Sequence, residues 1–287
     1  MTNTVLILGA SGRFGRNAAA AFTQAGWTVR GFDRKTDDLA VAAKGVDVIV
    51  AAWNPKYHHW AAQVPQLHAR IRKVALDNDA TVILPGNVYV YGQQTTAPWS
   101  EHTPHQATNP LGQIRRDMEE AYRAEGVKTI LLRAGDFLDS EASGNWFDMV
   151  IAKALSKGKF SYPGDPDASH AWAFLPDVAR AAVMLAEKRE ALQRFEDIPF
   201  PGYTLSGNQL AQAVSKAIHK PIKVNKMSWW PFHLLRPVMP MAKHLFEMRY
   251  LWSKPHSLDG EKFKRLLPDF QPTPLDKAMA TAASPML

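Results

Sequence analysis

Residues 4–15 read Thr4-Val5-Leu6-Ile7-Leu8-Gly9-Ala10-Ser11-Gly12-Arg13-Phe14-Gly15, an aliphatic run that passes directly into a glycine-rich turn. A buried strand, such a turn and a following helix form the layout of a dinucleotide site. Gly9 allows a tight turn, Gly12 lets a pyrophosphate approach the backbone, and Gly15 lets the helix pack on the strand. The spacing is Gly-x-x-Gly-x-x-Gly, which differs from the commoner Gly-x-Gly-x-x-Gly. The stretch therefore predicts a strand, a turn and a helix that bind a dinucleotide.

The segments after this turn complete a β-α-β unit. An alanine-rich run over residues 17–25 predicts a helix that ends at Gly26, and residues 27–32 predict a second strand that ends at Asp33. A carboxylate at that place accepts hydrogen bonds from ribose hydroxyls and repels a 2′-phosphate, which favours NAD. Arg34, and Arg13 in the turn, are cations that could pair with such a phosphate, so NADP stays open as the alternative.

Strand and helix patterns alternate through the first half of the chain. This alternation predicts an α/β fold with a Rossmann-like, doubly wound parallel sheet. The stretch between the second and third strands is short, so we expect the usual element there to be reduced. The further predicted strands are 46–52, 81–85 and 128–132, and the further predicted helices are 60–77 and 113–125.

The second half is richer in proline and tryptophan, and it predicts a smaller C-terminal domain on the substrate side. We place the dinucleotide-binding domain at residues 1–135 and the mainly substrate-side domain at 136–287. Residues 170–187 are expected to pack with the first domain, because the stretch around Pro176 begins a helix.

The composition of the 287 residues is that of a globular protein, with 46% hydrophobic and 21% charged residues. The absence of cysteine excludes disulfides and thiolate chemistry. The ten histidines lack ligand spacing, so no metal is expected. The net charge of +7 comes from scattered residues, so nucleic acid is not an expected partner. No apolar run reaches 18 residues and no signal peptide is visible, so we expect a cytoplasmic protein with no membrane partner.

The chain resembles the extended and atypical short-chain dehydrogenase/reductases, the NAD-dependent epimerase/dehydratase family. The resemblance covers most of the length and implies a nicotinamide dinucleotide as cofactor. It also implies a small-molecule substrate, and a homodimer is compatible with it. The motifs that carry it are Gly9 to Gly15, Asp33, Ala51-Ala52-Trp53-Asn54-Pro55, Val90-Tyr91-Gly92, Leu132-Arg133-Ala134-Gly135, Phe174-Leu175-Pro176-Asp177-Val178-Ala179 and Gln271-Pro272-Thr273-Pro274-Leu275.

The expected cofactor site combines the glycine turn with the ends of the second and third strands of the chain. Its predicted residues are Gly9, Ser11, Gly12, Arg13, Phe14, Gly15, Asp33, Arg34, Ala51, Ala52 and Trp53.

The catalytic residues of the family are not all found at their expected places. The family uses a Ser or Thr together with Tyr-x-x-x-Lys, and the resemblance places Asn87, Leu111 and Arg115 at these three positions. Leucine cannot transfer a proton, and arginine stays protonated at neutral pH. Arg115 is therefore expected to hold ribose or phosphate charge.

Residues near Asn87 are candidates to replace the proton donor that Leu111 cannot supply. An extended conformation would place Asn87, Tyr89 and Tyr91 on one side, so Asn87 could bind a substrate carbonyl and Tyr89 could donate the proton. The alternative for Tyr89 is an aromatic side chain packed beside the sheet. Pocket or packing roles are both open for Tyr57 and for the adjacent histidines 58 and 59.

Two functions follow. The favoured one is a nicotinamide-dependent oxidoreductase, epimerase or dehydratase that acts on a small hydroxyl or carbonyl compound with a non-standard catalytic set. The other is a non-catalytic NAD(P)-binding sensor or scaffold, which the missing tyrosine and lysine would suit.

The segment from Met227 to Trp252 is the most apolar part of the second half. Pro231, Pro237 and Pro240 divide it, and a helix with one buried stripe is expected from about residue 241 to residue 252. Core packing is the favoured interpretation and a wall of the substrate site is the second. Contact with a membrane or a partner is the least favoured, because the cations are spread out in sequence.

Overall fold

The computed structural model describes residues 2–235 and 239–287. The strands are β1 (Thr4–Leu8), β2 (Thr28–Phe32), β3 (Val48–Ala51), β4 (Thr81–Gly86), β5 (Thr129–Arg133), β6 (Asp136–Leu138), β7 (Lys159–Tyr162), β8 (Ser169–Phe174), β9 (Phe195–Pro199), β10 (Tyr203–Ser206) and β11 (Lys223–Lys226). The α-helices are α1 (Arg13–Gln24), α2 (Leu39–Ala42), α3 (Trp60–Asp77), α4 (Pro110–Ala124), α5 (Leu175–Glu187), α6 (Gly207–Ile218), α7 (Trp230–Leu235), α8 (Pro240–Met248), α9 (Glu261–Leu266) and α10 (Leu275–Ala283).

The central sheet has six parallel strands in the order β2-β1-β3-β4-β5-β9. The chain leaves β1 toward β2 on one side and continues through β3 on the other, so the direction of winding reverses at β1. In such sheets ligands bind at the carboxyl ends of the strands beside this reversal. The predicted α/β, doubly wound parallel sheet is confirmed. Only the four-residue α2 lies between β2 and β3, which is the reduced element expected there.

Helices cover both faces of this sheet, because its strands carry apolar side chains on both faces. Successive residues of β1 face opposite sides, and Leu6 and Leu8 pack in the core under α3 and α4. Val5 and Ile7 pack in the other core, under α1 and α5. All five residues of β1 are buried, which explains why its sequence is a continuous apolar run without alternation.

The second half of the chain divides between the central sheet and a smaller unit. The small unit contains a three-stranded sheet, β10-β8-β6, and a two-stranded parallel ribbon of β7 and β11. Helices α6 and α10 pack against each other in this unit. Helix α5 packs on α1, and β9 extends the central sheet beside β5. β9 lies beyond the residues 170–187 that the sequence assigned to the first domain, and the partition at residue 135 stays a prediction.

The apolar segment 227–252 is partly core and partly surface. Trp229 and Trp252 are buried, whereas Trp230 and Leu234 are 60% and 64% exposed. Helix α8 ends at Met248 and continues as a 3₁₀ turn over residues 249–252, close to the expected helix. Pro237 lies outside the described residues. Within the two described ranges, no helix is long and apolar enough to cross a membrane.

A buried ion-pair cluster joins the elements at the carboxyl edge of the sheet. The Arg133 guanidinium, at the end of β5, donates from Nη2 to Glu119 of α4 (2.8 Å) and to Asp197 of β9 (2.6 Å). Its Nη1 donates to the Asn87 carbonyl after β4 (2.6 Å). The Arg133 side chain is fully buried, and both carboxylates are nearly so. A buried cation of this kind requires its partners, since each charge has lost its hydration.

We expect Arg133→Met to lower the free energy of unfolding by about 3–5 kcal/mol, because two buried carboxylates lose their shared counter-charge. Chemical denaturation of parent and variant measures the change. The matched control is Arg70→Met at an exposed position of α3, which should stay within about 0.5 kcal/mol of the parent. Equal stability of Arg133→Met and parent would contradict the assigned role.

Candidate cofactor and substrate site

The glycine turn after β1 is shaped by two close backbone approaches. Gly9 has φ +86°, and a Cβ there would lie 2.9 Å from the Trp53 Cα. A Cβ on Gly15 would lie 2.1 Å from the Gly9 carbonyl oxygen. At Gly12 the only atom within 4 Å is that same oxygen, at 3.2 Å. Gly9 and Gly15 are therefore needed for packing, whereas Gly12 borders open space that a ligand could fill.

Helix α1 begins beside this open space without a side-chain cap. Its N-cap residue is Gly12, and no acidic residue stands in its first turn. The first N–H groups of a helix have no partner within it, and the helix dipole makes this end positive. Ser11, Gly12 and Arg13 are all exposed. The turn can therefore accept an anionic group through backbone donors.

The Arg13 side chain turns toward the loop after β6. Its Nε donates to the Ser143 carbonyl at 3.0 Å, and its Nη2 donates to the Gly144 carbonyl. From the next turn of α1, Arg16 pairs with Asp139 at 2.8 Å. These contacts fix the loop over the start of α1. A contact of Arg13 with a phosphate stays a prediction.

The ends of β2 and β3 form the neighbouring part of this edge. Asp33 is exposed directly after β2, and its Oδ1 accepts a hydrogen bond from the Lys35 N–H at 2.9 Å. The Arg34 guanidinium carbon lies 5.5 Å from the centroid of the Trp53 ring, in cation–π range. Trp53 follows the alanine pair that ends β3. The structure thus brings the predicted residues of the first, second and third strand ends to one edge.

The predicted extended conformation of residues 87–91 is wrong. β4 ends at Gly86, and the chain forms a 3₁₀ turn over Tyr89–Tyr91. The Asn87 Oδ1 accepts a hydrogen bond from the Tyr89 N–H at 3.0 Å, and this local bond competes with extension of the strand. As a result Tyr91 is buried and stacks on Trp99, away from Tyr89. The Asn87 oxygen is engaged in this turn, and its contact with a substrate stays a prediction.

Tyr89 is paired with Tyr57, for which the sequence left a pocket role and a packing role open. The hydroxyl oxygens of Tyr57 and Tyr89 lie 2.6 Å apart. Burial raises the pKa of both hydroxyls, and the charge of Asp136 raises both further. At neutral pH both are therefore protonated. One hydroxyl donates to the other, which leaves the second hydrogen available for a third acceptor.

The sequence did not indicate a dyad that forms between β6 and β8. The His170 Nε2 of β8 lies 2.7 Å from the Asp136 Oδ2 of β6. The His170 ring stacks on Trp252 at 4.5 Å between centroids and lies 4.4 Å from the His256 ring. The His256 ring stacks on Trp99 in turn, at 5.1 Å. The position of Asp136 directly after Leu132-Arg133-Ala134-Gly135 was the one sequence signal for this dyad.

The two helical positions that the resemblance aligned with Tyr and Lys are buried. Leu111 lies in the core, and its N–H donates to the Glu247 Oε1 of α8 at 2.6 Å. Arg115 donates from Nη2 to the Pro85 carbonyl at 2.6 Å and lies 3.6 Å from Glu119. Burial lowers the pKa of Arg115. Its predicted contact with ribose or phosphate is untested by this geometry.

One group of potential metal ligands exists in the described part of the chain. Its members are His105, Glu119 and Asp197. The Arg133 guanidinium already bridges the two carboxylates. A cation thus occupies the position between them, so this group is a structural ion-pair cluster.

Comparison with solved structures identifies the fold. The sequence matches no family model and no curated protein. The structure is similar to UDP-N-acetylglucosamine 4-epimerase from Bacillus cereus, with a TM-score of 0.75 and 14% identity over 99% of both chains. It is also similar to MoeE5 in complex with UDP-glucose and NAD, with a TM-score of 0.74 and 15% identity over 98% of both chains.

A third similar structure is the Bordetella bronchiseptica enzyme WbmH in complex with NAD+. Its TM-score is 0.71, with 16% identity over 99% of this chain and 98% of that one. The chain therefore has the fold of the NAD-dependent sugar epimerases and dehydratases, as the motif resemblance predicted.

The buried His256 predicts a pH dependence of stability. Burial, assisted by the neighbouring His170, lowers the pKa of His256 to about 3. An unfolded chain binds a proton at this residue near pH 6.5. Between these values only the unfolded state is protonated, so the free energy of unfolding falls as the pH is lowered from 6.5 toward 3.

We expect His256→Phe to reduce the slope of unfolding free energy against pH in this window by up to about 1.4 kcal/mol per pH unit. Denaturant titrations at pH 4 to 7 give the slope. His102→Phe, at an 88% exposed side chain, is the control and should keep the parental slope. The same slope in His256→Phe would show that this residue is protonated in the folded state.

Proposed function

We propose that this protein is an NAD-dependent enzyme of the epimerase, dehydratase or oxidoreductase type that acts on a small hydroxyl or carbonyl compound. The observation that carries the proposal is the open space at Gly12 beside the uncapped start of α1, with Asp33 and Trp53 on the same edge. NAD is present in the MoeE5 and WbmH structures, which share this fold.

The described residues fit the parts of a dinucleotide. The N–H groups at the start of α1 would hold the pyrophosphate, and Gly12 leaves room for it. Asp33 would accept hydrogen bonds from the ribose hydroxyls, and its charge disfavours a 2′-phosphate. The Trp53 ring, with the Arg34 guanidinium beside it, offers a flat surface for the adenine. When bound, the nicotinamide would supply a hydride acceptor or donor.

The tyrosine pair supplies the proton-transfer group in place of the Tyr-x-x-x-Lys that residues 111–115 lack. Because the pKa of both hydroxyls is raised, both are protonated at neutral pH, and the pair holds a proton that it can donate to a developing alkoxide. Tyr89 is the predicted donor, and Tyr57 holds its hydroxyl in place through the 2.6 Å contact. The Asp136–His170 dyad lies on the substrate side, where it can orient a hydroxyl group of the substrate.

The substrate class follows from the same residues. The hydroxyls of the tyrosine pair and the part-exposed carboxylate of Asp136 suit a polyhydroxylated compound, because each can exchange hydrogen bonds with a substrate hydroxyl. The similar B. cereus structure is an epimerase of a nucleotide sugar. A sugar or a related hydroxylated compound is therefore the substrate class we propose.

Gly12→Val should weaken NAD binding at least about tenfold, or about 1.4 kcal/mol, because the side chain fills the space proposed for the pyrophosphate. Calorimetric titration with NAD, and then with NADP, measures the effect and the preference. Ala20→Val, at an exposed position of the same helix, is the control and should bind like the parent. Unchanged NAD affinity in Gly12→Val would exclude this site, and tighter binding of NADP than NAD would exclude the role of Asp33.

Tyr89→Phe should lower turnover by ~10²–10⁴-fold, since it removes the donor hydroxyl and keeps the ring. With a panel of sugars, hydroxy acids and aldehydes, absorbance of reduced nicotinamide gives the rate of net oxidoreduction, and product analysis by NMR gives the rate of epimerisation or dehydration, in which the hydride returns to the product. Tyr57→Phe should show a smaller loss, and the volume-conserving Leu111→Met is the control. Parental activity in Tyr89→Phe would eliminate it as donor. NAD binding without turnover of any panel compound would support the sensor or scaffold instead.

A further inference from the structure

The Lys and Arg residues form no dense run, but two stretches of the second half contain them without any acidic residue. Residues 149–164 hold three Lys and Arg residues and residues 198–246 hold six, and neither stretch holds an Asp or Glu. These nine charges exceed the net charge of +7 of the whole chain. The remainder of the protein is therefore slightly acidic, and the surplus of positive charge belongs to one part of the small unit.

The fold brings the two stretches side by side. β7 comes from the first stretch and β11 from the second, and they pair in parallel so that Lys159 stands directly opposite Lys223. Lys157, Lys159, Lys220, Lys223 and Lys226 are all exposed. Like charges directly opposite in a sheet are destabilising. An anionic surface that covers this ribbon would remove the repulsion.

Exposed apolar side chains adjoin this ribbon. Four residues after β11, α7 begins with Trp230, and Leu234 follows one helical turn later on the same side. With Trp229 and His233 they line an open groove of about 420 Å³. Trp230 and Leu234 are 60% and 64% exposed, which is unusual for such large apolar residues.

Cations stand around this groove as well as along the ribbon. The Arg249 guanidinium carbon lies 5.0 Å from the centroid of the Trp229 ring. Lys243 is exposed on α8, which packs against α7, and Lys226 ends the strand that leads to the groove. We define the basic–apolar face as the β7–β11 ribbon together with Trp230, Leu234, Lys243 and Arg249.

We propose that the basic–apolar face docks on an anionic phospholipid bilayer. Tryptophan favours the headgroup region, where its ring is partly buried in apolar chains. Lysines near the surface are attracted by anionic lipids. A site for an acidic polypeptide or for nucleic acid would share the charge, and retention by poly-glutamate or duplex DNA without binding to vesicles would identify it.

The attachment is peripheral. Within residues 2–235 and 239–287 no helix is long and apolar enough to cross a membrane. α8 also packs against the 3₁₀ turn that carries Tyr57, so the proposed docking face lies next to the candidate site. Membrane contact was the least favoured interpretation of residues 227–252, because the cations in that segment are few and spread out. The pairing of β7 with β11 adds Lys159 and Lys223, which lie outside the segment.

Flotation of the full-length protein with vesicles tests the proposal. We expect binding to vesicles with 30% phosphatidylglycerol in phosphatidylcholine, about tenfold or more weaker binding after Lys223→Glu with Lys226→Glu, and loss of binding as salt rises. The matched control is Lys44→Glu with Lys277→Glu at exposed sites outside the face. It carries the same change of net charge and should bind like the parent.

A second measurement reports insertion and not only charge attraction. Vesicles with brominated acyl chains should quench the tryptophan emission of the parent, and the quenching should fall in Trp230→Phe, which keeps an apolar ring. Val41→Ser, at another exposed apolar residue, should not alter it. Equal binding to neutral vesicles, no binding to anionic ones, or retention only by poly-glutamate or duplex DNA would each overturn the proposal.

Discussion

The carboxyl edge of the sheet depends on the ion pairs of the buried Arg133 guanidinium. The guanidinium joins β5, β9 and α4 through two carboxylates, and it also holds the Asn87 carbonyl after β4. A buried cation is tolerated only where its partners are complete, so these elements are fixed together. The loop it holds carries Tyr89. The position of the candidate proton donor therefore rests on an ion pair within the core.

The two sides of the site are built by different means. The cofactor side is backbone: Gly9 and Gly15 let a strand, a turn and a helix approach within distances that no side chain would allow. The substrate side is made of side chains from distant segments, among them Tyr57, Tyr89 and Asp136. The resemblance places the buried Leu111 at the expected tyrosine position, so the proposed proton transfer rests on the tyrosine pair.

Sequence patterns succeeded where the structure is local. The apolar run of β1 and the glycine spacing predicted the strand, turn and helix because each depends on neighbours within a few residues. The prediction of an extended conformation for residues 87–91 failed because the Tyr89 N–H donates a hydrogen bond to the Asn87 Oδ1, which makes a turn there. The contacts between Tyr57 and Tyr89 and between Asp136 and His170 join residues 32 and 34 positions apart, and no periodicity reports them.

The sequence by itself determined the α/β class, the alternation of strands and helices that makes a parallel sheet, and the place of the glycine turn. Hydrophobic burial and backbone sterics act residue by residue, so a single chain records them directly. The tertiary structure alone decided which side chains meet: the tyrosine pair, the Arg133 cluster and the alignment of Lys159 with Lys223 across β7 and β11. These depend on how distant strands come into register, and register is set by the packing of the whole core.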